Sequence, residues 1–317
     1  MYLTQFLSDR SVTYEENVSL SEKTWIKTGG TCACWITPTS VEQLAEVCCF
    51  LYKNEIEFDL VGQTSNIFFH STYNPQVVVS TVKVSNYTIN DSIIICDCGV
   101  SVIKLAKDCL SKGYAGFYGL VGLPGTVASA VFNNAGCFNC SISSMLMSAD
   151  VLTPDGSIQT FQKEDFQYTH RSSAFKRRDR RGVILSVKLK TEKAKDIEEE
   201  YRKSEEAKNY RKNKQEGYKL NLGSIFSTRK RKNNLKNLIA AIITKVASAS
   251  HITNHKRTNK RMLLWLYGYT DLNHYISDKQ INTFVWCDTN AEQKFPRYKE
   301  FMSKVFDNLT IEIEEKQ

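Results

Sequence analysis

Residues 119–136 read GLVGLPGTVASAVFNNAG, and the fold prediction for this chain starts from this stretch. The pair Pro124-Gly125 favours a turn, and the hydroxyl of Thr126 can cap the short helix that would follow. Residues 133–136 then form a second turn. Because binding sites concentrate on such loops, we interpret the stretch as a ligand cradle. The alternative is a pair of tight structural turns.

Two further glycine turns could belong to the same cradle. Residues 61–66 read VGQTSN and follow a predicted strand, and residues 28–30 read TGG. Glycine lets the backbone approach an anion closely, and successive N–H groups with serine and asparagine side chains can hold a diphosphate. A plain strand–turn–strand connection would have the same sequence, so neither turn is specific by itself.

The remainder of the first 190 residues predicts an α+β fold. Apolar residues in 41–51 recur at the helical period, Thr39 or Ser40 can cap that helix, and a second helix is predicted over Val102–Ser111. Short apolar runs predict strands at Glu57–Val61, Val77–Ser80, Ser92–Cys96 and Val183–Lys188, with a hairpin turn at Leu152–Gly156.

The character of the sequence changes at about residue 191. Residues 191–219 are rich in Lys, Glu, Arg and Asn, which predicts a solvated helix followed by a mobile connection. Further helices are predicted near Asn234–Ala249 and Met302–Asn308, and a last strand over Leu309–Ile313. The apolar run Met262–Tyr267 is more typical of a core than of a site.

Length and composition limit the class of protein. A chain of 317 residues predicts two domains, or three at most, at the usual ~100–200 residues each. A hydrophobic content of 42% is ordinary for a globular protein, and 15 Gly with 5 Pro exclude collagen-like and low-complexity classes. No apolar run approaches the ~20 residues of a membrane span, and no secretory signal is visible at the N-terminus. We therefore expect a soluble, cytoplasmic chain.

Charge and cysteine content bear on the partners. The 42 Lys and Arg exceed the 34 Asp and Glu by 8, which favours anionic partners but does not separate nucleic acid, nucleotide cofactor and sugar phosphate. Six of the ten cysteines form pairs that are one or two positions apart, namely Cys32/Cys34, Cys48/Cys49 and Cys96/Cys98. This spacing suits neither a disulfide nor a tetrahedral zinc site. The one CxxC, at Cys137 and Cys140, has no second pair. We expect buried, reduced thiols and no metal site.

Five motifs occur in the order and spacing of a known family. They are TGG at 28–30, VGQTSN at 61–66, GLPGTVASAVFNNAG at 122–136, HRSSAFK at 170–176 and GSIF at 223–226. In these motifs the chain resembles the UDP-N-acetylenolpyruvoylglucosamine reductases (MurB), flavoenzymes of peptidoglycan synthesis. The resemblance is convincing over residues 17–190 and thin afterwards.

The resemblance implies a two-lobed FAD-binding module of the vanillyl-alcohol-oxidase type, over residues 1–82 and 83–195. A third, divergent α+β lobe, 196–317, would bind the substrate. FAD would be held at its diphosphate and flavin by the glycine-rich segments. The residues carried over to FAD are Gly29, Gly62, Gln63, Thr64, Ser65, Asn66, Gly122, Pro124, Gly125, Thr126, Ser129, Asn133 and Gly136.

The same resemblance implies a reaction. NADPH reduces the flavin, hydride then passes to the enolpyruvyl ether of a sugar nucleotide, and a serine protonates the neighbouring carbon. A guanidinium and a proton-bearing acid beside the substrate carboxylate would stabilise the charge that develops there. The matching residues are Arg171, Ser224 as the proton donor, and Glu312.

Several positions depart from the family pattern. Gln63 and Thr64 replace two of the three glycines of one loop, His170 stands where the family has tyrosine, and Ser227 stands where it has lysine. The stretch 249–275 has no counterpart in the family pattern. These departures concern function more than fold.

Three classes of function therefore stay open. The leading one is the reductase of cell-wall synthesis, or a paralogue that acts on another substrate in surface-polysaccharide or specialised metabolism. The second is a flavin-free nucleotide-binding or scaffold protein that kept the fold. The third, a nucleic-acid binder, rests only on basic clusters at 229–232 and 256–261. We expect a nucleotide-sugar substrate and no nucleic-acid partner.

Overall fold

The structure, a computed structural model, describes residues 2–217, 219–249 and 255–317. The helices are α1 Tyr2–Asp9, α2 Leu20–Lys23, α3 Val41–Lys53, α4 Val102–Ser111, α5 Val127–Asn133, α6 Ile142–Met145, α7 Ile197–Lys214, α8 Leu235–Ala249, α9 His255–Tyr267 and α10 Ala291–Val305. The strands are β1 Thr13–Ser19, β2 Thr31–Thr37, β3 Asp59–Val61, β4 Ile67–Phe69, β5 Val77–Ser80, β6 Tyr87–Asn90, β7 Ile93–Asp97, β8 Gly136–Cys137, β9 Cys140–Ser141, β10 Leu146–Leu152, β11 Ile158–Gln162, β12 Val183–Lys190, β13 Phe226–Arg231, β14 Phe306–Ile311 and β15 Glu314–Lys316.

The chain forms two compact units, and the first comprises residues 1–24, 29–65 and 71–208. It contains a mixed sheet of order β1-β2-β5-β3, in which β2 and β3 both run parallel to β5. A second sheet, of order β11-β10-β12-β7-β6, is antiparallel throughout. Two hydrophobic clusters lie on these sheets, one under α3 and the other under α4 and α5. The predicted α+β class is confirmed.

The helices of the first unit begin where the sequence places their caps. The Ser40 hydroxyl accepts a hydrogen bond from the Gln43 backbone N–H at 3.2 Å, which confirms that cap. α4 covers the predicted range Val102–Ser111, and the hydroxyl of Ser101 caps its first turn. Both helices bury one apolar face, as their periodicity requires.

The second unit comprises residues 25–28, 66–70 and 209–317. Its strands form two small ladders, with β13 antiparallel to β14 and β15 parallel to β4. An aromatic cluster fills its core, where the ring of Phe284 lies 4.9 Å from Trp286 and 5.1 Å from both Phe295 and Tyr298. α10 and the segment 275–286 contribute many of the buried residues of this core.

Three predicted element boundaries are wrong. The helix predicted at Met302–Asn308 begins earlier, because α10 repeats buried residues at the helical period from Phe295 to Val305, and residues 306–308 belong to β14. Of the strand predicted at Leu309–Ile313, only residues 309–311 are in a strand, the end of β14, and residues 312–313 lie between β14 and β15. The strand predicted at Glu57–Val61 shortens to β3, since only residues 59–61 pair with β5.

Other predictions within the sequence are confirmed. β10 and β11 form the hairpin around Gly156, whose φ of +86° suits a glycine turn. α7 confirms the helix within 191–219, and α8 the helix near 234–249. Two of the stretches discussed in the sequence analysis include residues that the structure does not describe, namely residue 218 in 191–219 and residues 250–254 in 249–275. The division of the chain at residues 82 and 195 stays a prediction.

The cysteines behave mainly as small apolar side chains. All ten are free, and seven of them are buried. Burial raises the pKa of Cys34 to about 11 and that of Cys98 to about 12, so these thiols stay protonated at neutral pH. Of the predicted core run 262–267, Leu263 and Leu264 are buried, whereas Trp265 is 66% exposed. Among the described helices, none has both the length and the apolar character needed to cross a membrane.

Candidate active site

The turn before α5 has the geometry that the sequence predicts. The backbone N–H of Ser129 donates to the Thr126 hydroxyl at 3.3 Å, and the Thr126 N–H donates to the Ser129 hydroxyl at 3.0 Å. This reciprocal pair is a capping box. Gly125 precedes it at φ +125°, a conformation that other residues rarely adopt. Gly122 is half-buried and Pro124 is exposed in the same turn.

The loop 61–66 lies directly against this turn. A Cβ atom on Gly62 would come within 2.7 Å of the Thr126 hydroxyl, so only glycine fits there without displacement. The side-chain oxygen of Gln63 accepts a hydrogen bond of 2.9 Å from the Gly125 N–H. Two segments that are about sixty residues apart in sequence are therefore brought together, as a shared cradle requires.

The donors available to an anion come from the loop and not from the helix. The first three N–H groups of α5 donate to the carbonyls of Val100 and Cys98 and to the hydroxyl of Thr126. In the part of the chain that the structure describes, the backbone N–H groups of Gln63 and Ser65 donate to no protein atom. These two amides are the donors of the cradle that remain for a ligand.

Thr64 occupies a strained position in the loop. It is 4% exposed and has φ +53°, a left-handed conformation that costs a β-branched residue about 1–2 kcal/mol. The family pattern has glycine at this position, where the conformation carries no such cost. The conformation of the loop is thus kept although its residue has changed.

Replacement of Thr64 by glycine should tighten the binding of a diphosphate ligand several-fold. The bare backbone lets a phosphate approach more closely, and the relief of strain offsets most of the entropic cost of glycine, about 0.5–1 kcal/mol. FAD titration followed by flavin fluorescence, together with urea unfolding, would measure both effects. Glu55→Gly, also at φ +53° but outside the loop, is the control. Unchanged or weaker FAD binding in Thr64→Gly would contradict this assignment of the loop.

The motif at 170–176 is bound to the end of α5. The Ser173 hydroxyl donates to the Phe132 carbonyl at 2.6 Å, and the Lys176 ammonium donates to the Asn133 side-chain oxygen at 2.8 Å. The Asn134 amide donates to the Thr169 carbonyl at 2.7 Å. Two motifs that the sequence analysis identified separately therefore form one structural unit.

Arg171 lies in a tight turn of this motif. Thr169 and Ser172 exchange two backbone hydrogen bonds around it, and Arg171 itself adopts φ +55°. Its guanidinium is 3.5 Å from the Asn134 carbonyl oxygen and lines an open cavity of about 440 Å³. Left-handed backbone at a non-glycine residue beside a cavity is typical of functional sites. Gly136 lines the same cavity, and Gly29 lies elsewhere in this unit at φ +121°.

Two polar groups that the sequence analysis did not identify lie near this turn in the chain. Among the described residues, the Asn134 side-chain oxygen and the Tyr168 hydroxyl are buried and have no hydrogen-bond partner. Burial raises the pKa of Tyr168, so its hydroxyl stays protonated and can donate. Buried polar groups are nearly always satisfied, which favours a ligand with polar atoms at this place. Asn134 lies within the motif 122–136, whereas no pattern in the sequence distinguishes Tyr168 from an ordinary turn residue.

The second unit brings Ser224, Glu312 and Asn66 together. The Glu312 N–H donates to the carbonyl of Ile225, the residue after Ser224, at 2.8 Å. The Asn66 side-chain amide donates to the Glu312 carbonyl at 3.2 Å. Glu312 lies between β14 and β15, so its predicted place within a strand is wrong, because this backbone bonds to Asn66 and Ile225 outside both strand ladders.

Asn282 holds the backbone that follows Ser224. It is 1% exposed, its side chain accepts from the Phe226 N–H at 3.1 Å and donates to the Phe226 carbonyl at 2.8 Å. Its own carbonyl accepts from the Ile225 N–H at 2.9 Å. Asn282 therefore fixes the backbone of Ile225 and Phe226, directly after Ser224.

A possible ligand trio lies on the surface of the second unit. His274, Cys287 and Asp288 are exposed and place one ligand atom each within 4.8 Å of the others. Burial and the neighbouring carboxylate of Asp288 raise the pKa of Cys287, which favours the thiol over the thiolate that a metal binds. The trio therefore gives no reason to assign a metal.

Comparisons with known proteins identify the family. Residues 32–162 match the family model of the FAD binding domain. The chain is 30% identical over 212 residues to the UDP-N-acetylenolpyruvoylglucosamine reductase of Bacillus pumilus, which covers 67% of this chain and 69% of that protein. The chain belongs to the UDP-N-acetylenolpyruvoylglucosamine reductase family. The resemblance seen in its motifs is thereby confirmed.

Other members of the family match a shorter part of the chain. UDP-N-acetylenolpyruvoylglucosamine reductase 2 of Bacillus cereus is 29% identical over 191 residues, and the match spans 61% of that relative's length. The crystal structure of the family member MurB from Thermus caldophilus covers 96% of this chain with a TM-score of 0.68 at 18% identity. The family fold thus extends over nearly the whole chain, although sequence similarity does not.

Proposed function

We propose that the chain is an FAD-dependent reductase that uses NADPH to reduce an enolpyruvyl sugar nucleotide in peptidoglycan synthesis. The observation that carries this proposal is the identity of 30% over 212 residues to the Bacillus pumilus reductase, in a chain that also contains the glycine-rich segments and the motif of Arg171. The close placement of Ser224 and Glu312 in the second unit supports it.

The residues of the first unit fit FAD. The absence of a side chain on Gly62 lets the loop pack directly against Thr126, the amides of Gln63 and Ser65 can donate to a diphosphate, and the Asn134 side-chain oxygen has no hydrogen-bond partner within the described ranges of the chain. The Gln63–Gly125 hydrogen bond must be exchanged if the Gly125 amide is also to serve the ligand. Exchange of one neutral hydrogen bond costs about 0.5–1.5 kcal/mol, which is small beside the affinity of a cofactor.

One side chain would stabilise the charge that develops on the substrate, and another would supply a proton. Bound FAD would supply the hydride chemistry. Arg171 would steady the negative charge that develops on the substrate carboxylate, and Ser224 would deliver a proton to the carbon beside it. Glu312 would act next to Ser224 as the acid that the family pattern places there.

A flavin-free protein that kept the fold is the second candidate. The observation in its favour is that the Gln63 side chain already accepts the Gly125 N–H, while Thr64 fills a glycine position of the loop. A protein that no longer bound a diphosphate would lose the constraint on both residues. The same loop therefore separates the two candidates.

Titration of the purified chain with FAD decides between them. We expect one non-covalent FAD per chain, seen as quenched flavin fluorescence and a yellow protein, because the loop amides remain available. Gln63→Ala should bind FAD at least as tightly as the original chain, since it releases the Gly125 amide. A colourless protein with no calorimetric signal for FAD, in both forms, would favour the flavin-free candidate and refute the reductase.

A further inference from the structure

Helix α8 has its apolar side outward. Its buried side chains are Asn237, Ala240 and Thr244, at 4%, 0% and 0% exposure. Most of its large aliphatic side chains are exposed, Leu235 by 71%, Leu238 by 55%, Ile242 by 54% and Val246 by 68%, whereas Ile239 is half-buried. A surface helix ordinarily shows the reverse pattern, with its apolar stripe facing the core.

The exposed side chains form one continuous stripe. Leu235, Leu238, Ile242 and Val246 follow each other at steps of three and four residues, so they line a single face over three turns. Ile243, 38% exposed, widens this face. Contiguous exposed apolar area on this scale marks an interaction surface more often than it marks ordinary surface.

The inward face of α8 is fixed by hydrogen bonds. The Asn237 side-chain amide donates to the carbonyls of Lys232 and Val305 at 2.8 and 3.0 Å. The Tyr267 hydroxyl donates to the Asn237 oxygen at 3.1 Å, and the Asn259 amide donates to the Thr244 hydroxyl at 3.4 Å. Rotation of the helix to bury its stripe would break all four contacts, so the outward orientation is built in.

The sequence around α8 is strongly cationic. From residue 217 to residue 270 there is no Asp or Glu, and there are eleven Lys or Arg. The whole chain has a net charge of +8, and this segment alone carries +11. The remaining residues therefore have a net charge of 8 − 11 = −3. At 100° per residue, Lys236 and Lys245 project on opposite sides of the stripe. Lysines in such positions can extend to the phosphates of a lipid surface.

A cavity adjoins the first turn of the stripe. It has a volume of about 520 Å³ and is lined by Asn234, Leu235, Lys236, Tyr267, Tyr269 and Lys304. Two ammonium groups and two tyrosine rings beside an exposed leucine suit the boundary between acyl chains and anionic headgroups. The cavity thus combines apolar and cationic side chains, as the stripe and its flanking lysines do.

We propose that α8 binds the surface of an anionic lipid bilayer, with Leu235, Leu238, Ile242 and Val246 in the acyl boundary and the flanking lysines on headgroup phosphates. RNA would satisfy the cations, but it offers no apolar surface for four aliphatic side chains. A second copy of the chain would bring two strongly cationic segments together. An anionic bilayer complements both features, because its headgroups attract the lysines and its acyl chains accept the aliphatic side chains.

Sedimentation with vesicles tests the proposal on the full chain. The protein should pellet with vesicles of phosphatidylglycerol and phosphatidylcholine, and stay in the supernatant with phosphatidylcholine alone. Added salt should weaken the binding, since the surface potential is screened. Ile242→Asp with Val246→Asp should raise the apparent dissociation constant for anionic vesicles about tenfold or more. These side chains are exposed, so the fold should not suffer.

A matched control adds the same charge at another exposed apolar place. Ile95→Asp with Ile158→Asp, at 47% and 57% exposure in the original chain, should bind anionic vesicles like the original protein. The proposal is overturned if the original chain does not pellet with anionic vesicles, or if the α8 variant and the control variant lose vesicle binding to the same extent. It is also overturned if the α8 variants abolish a dimer in sedimentation velocity, or if the chain binds poly(U) and no vesicle.

Discussion

Replacement of Ser224 by alanine is expected to slow reduction of the sugar nucleotide by about 10²–10⁴-fold, while flavin reduction by NADPH stays intact. The magnitude is that of one lost proton-transfer step, and the division arises because the proton is needed only when the substrate is reduced. Stopped-flow absorbance of the flavin separates the two half-reactions. The position of Ser224 beside the Ile225–Glu312 hydrogen bond is the structural basis of this expectation.

The control for this variant is Ser227→Ala, three residues along the same segment. The Ser227 hydroxyl donates to the Thr310 carbonyl at 3.3 Å, so its loss removes a comparable hydroxyl from the same unit. We expect Ser227→Ala to keep near-normal turnover and Ser224→Cys to recover part of the rate, since the thiol is a stronger acid. In deuterated solvent the product should carry deuterium beside its carboxylate. Ser224→Ala with the original rate would remove Ser224 from the mechanism.

Arg171→Ala should slow reoxidation of the flavin by the substrate about 10²–10³-fold and leave FAD binding almost unchanged. The guanidinium is proposed to stabilise charge that exists only while the substrate is being reduced. Single-turnover kinetics with flavin reduced beforehand would measure this step. If both half-reactions slowed equally, Arg171 would act elsewhere, for example at the nicotinamide dinucleotide.

Loss of Arg171 changes backbone strain as well as charge, so the control must share that strain. Arg178 also adopts a left-handed conformation, with φ +65° against +55° for Arg171, and it is exposed. Arg178→Ala should therefore reproduce the effect on the backbone and leave both half-reactions near their original rates. Arg171→Lys should recover little, because the ammonium cannot form the planar, two-pronged contact that a guanidinium makes with a carboxylate.

The starts of α3, α4 and α5 could be predicted from the sequence because their causes are local. Ser40, Ser101 and Thr126 cap their helices through contacts with residues three positions away, and the apolar periodicity that follows each cap lies in the same few residues. The α+β class follows from the same local patterns. The motifs at 61–66, 122–136 and 170–176 could be recognised as well, because each is a continuous string.

The arrangement of the site depends on contacts between residues far apart in the chain, and only the tertiary structure decided it. Gln63 meets the Gly125 amide, and Glu312 meets Ile225, across 62 and 87 residues whose intervening fold no local pattern describes. That the Asn134 side-chain oxygen is buried without a hydrogen-bond partner among the described residues can be recognised only from the tertiary structure around it. The periodicity of α8 predicted a helix, but Asn237 determines which face is buried, because its partners at Lys232 and Val305 are set by the fold. Local interactions thus determine the elements, while the long-range packing of loops and helix faces determines what those elements can bind.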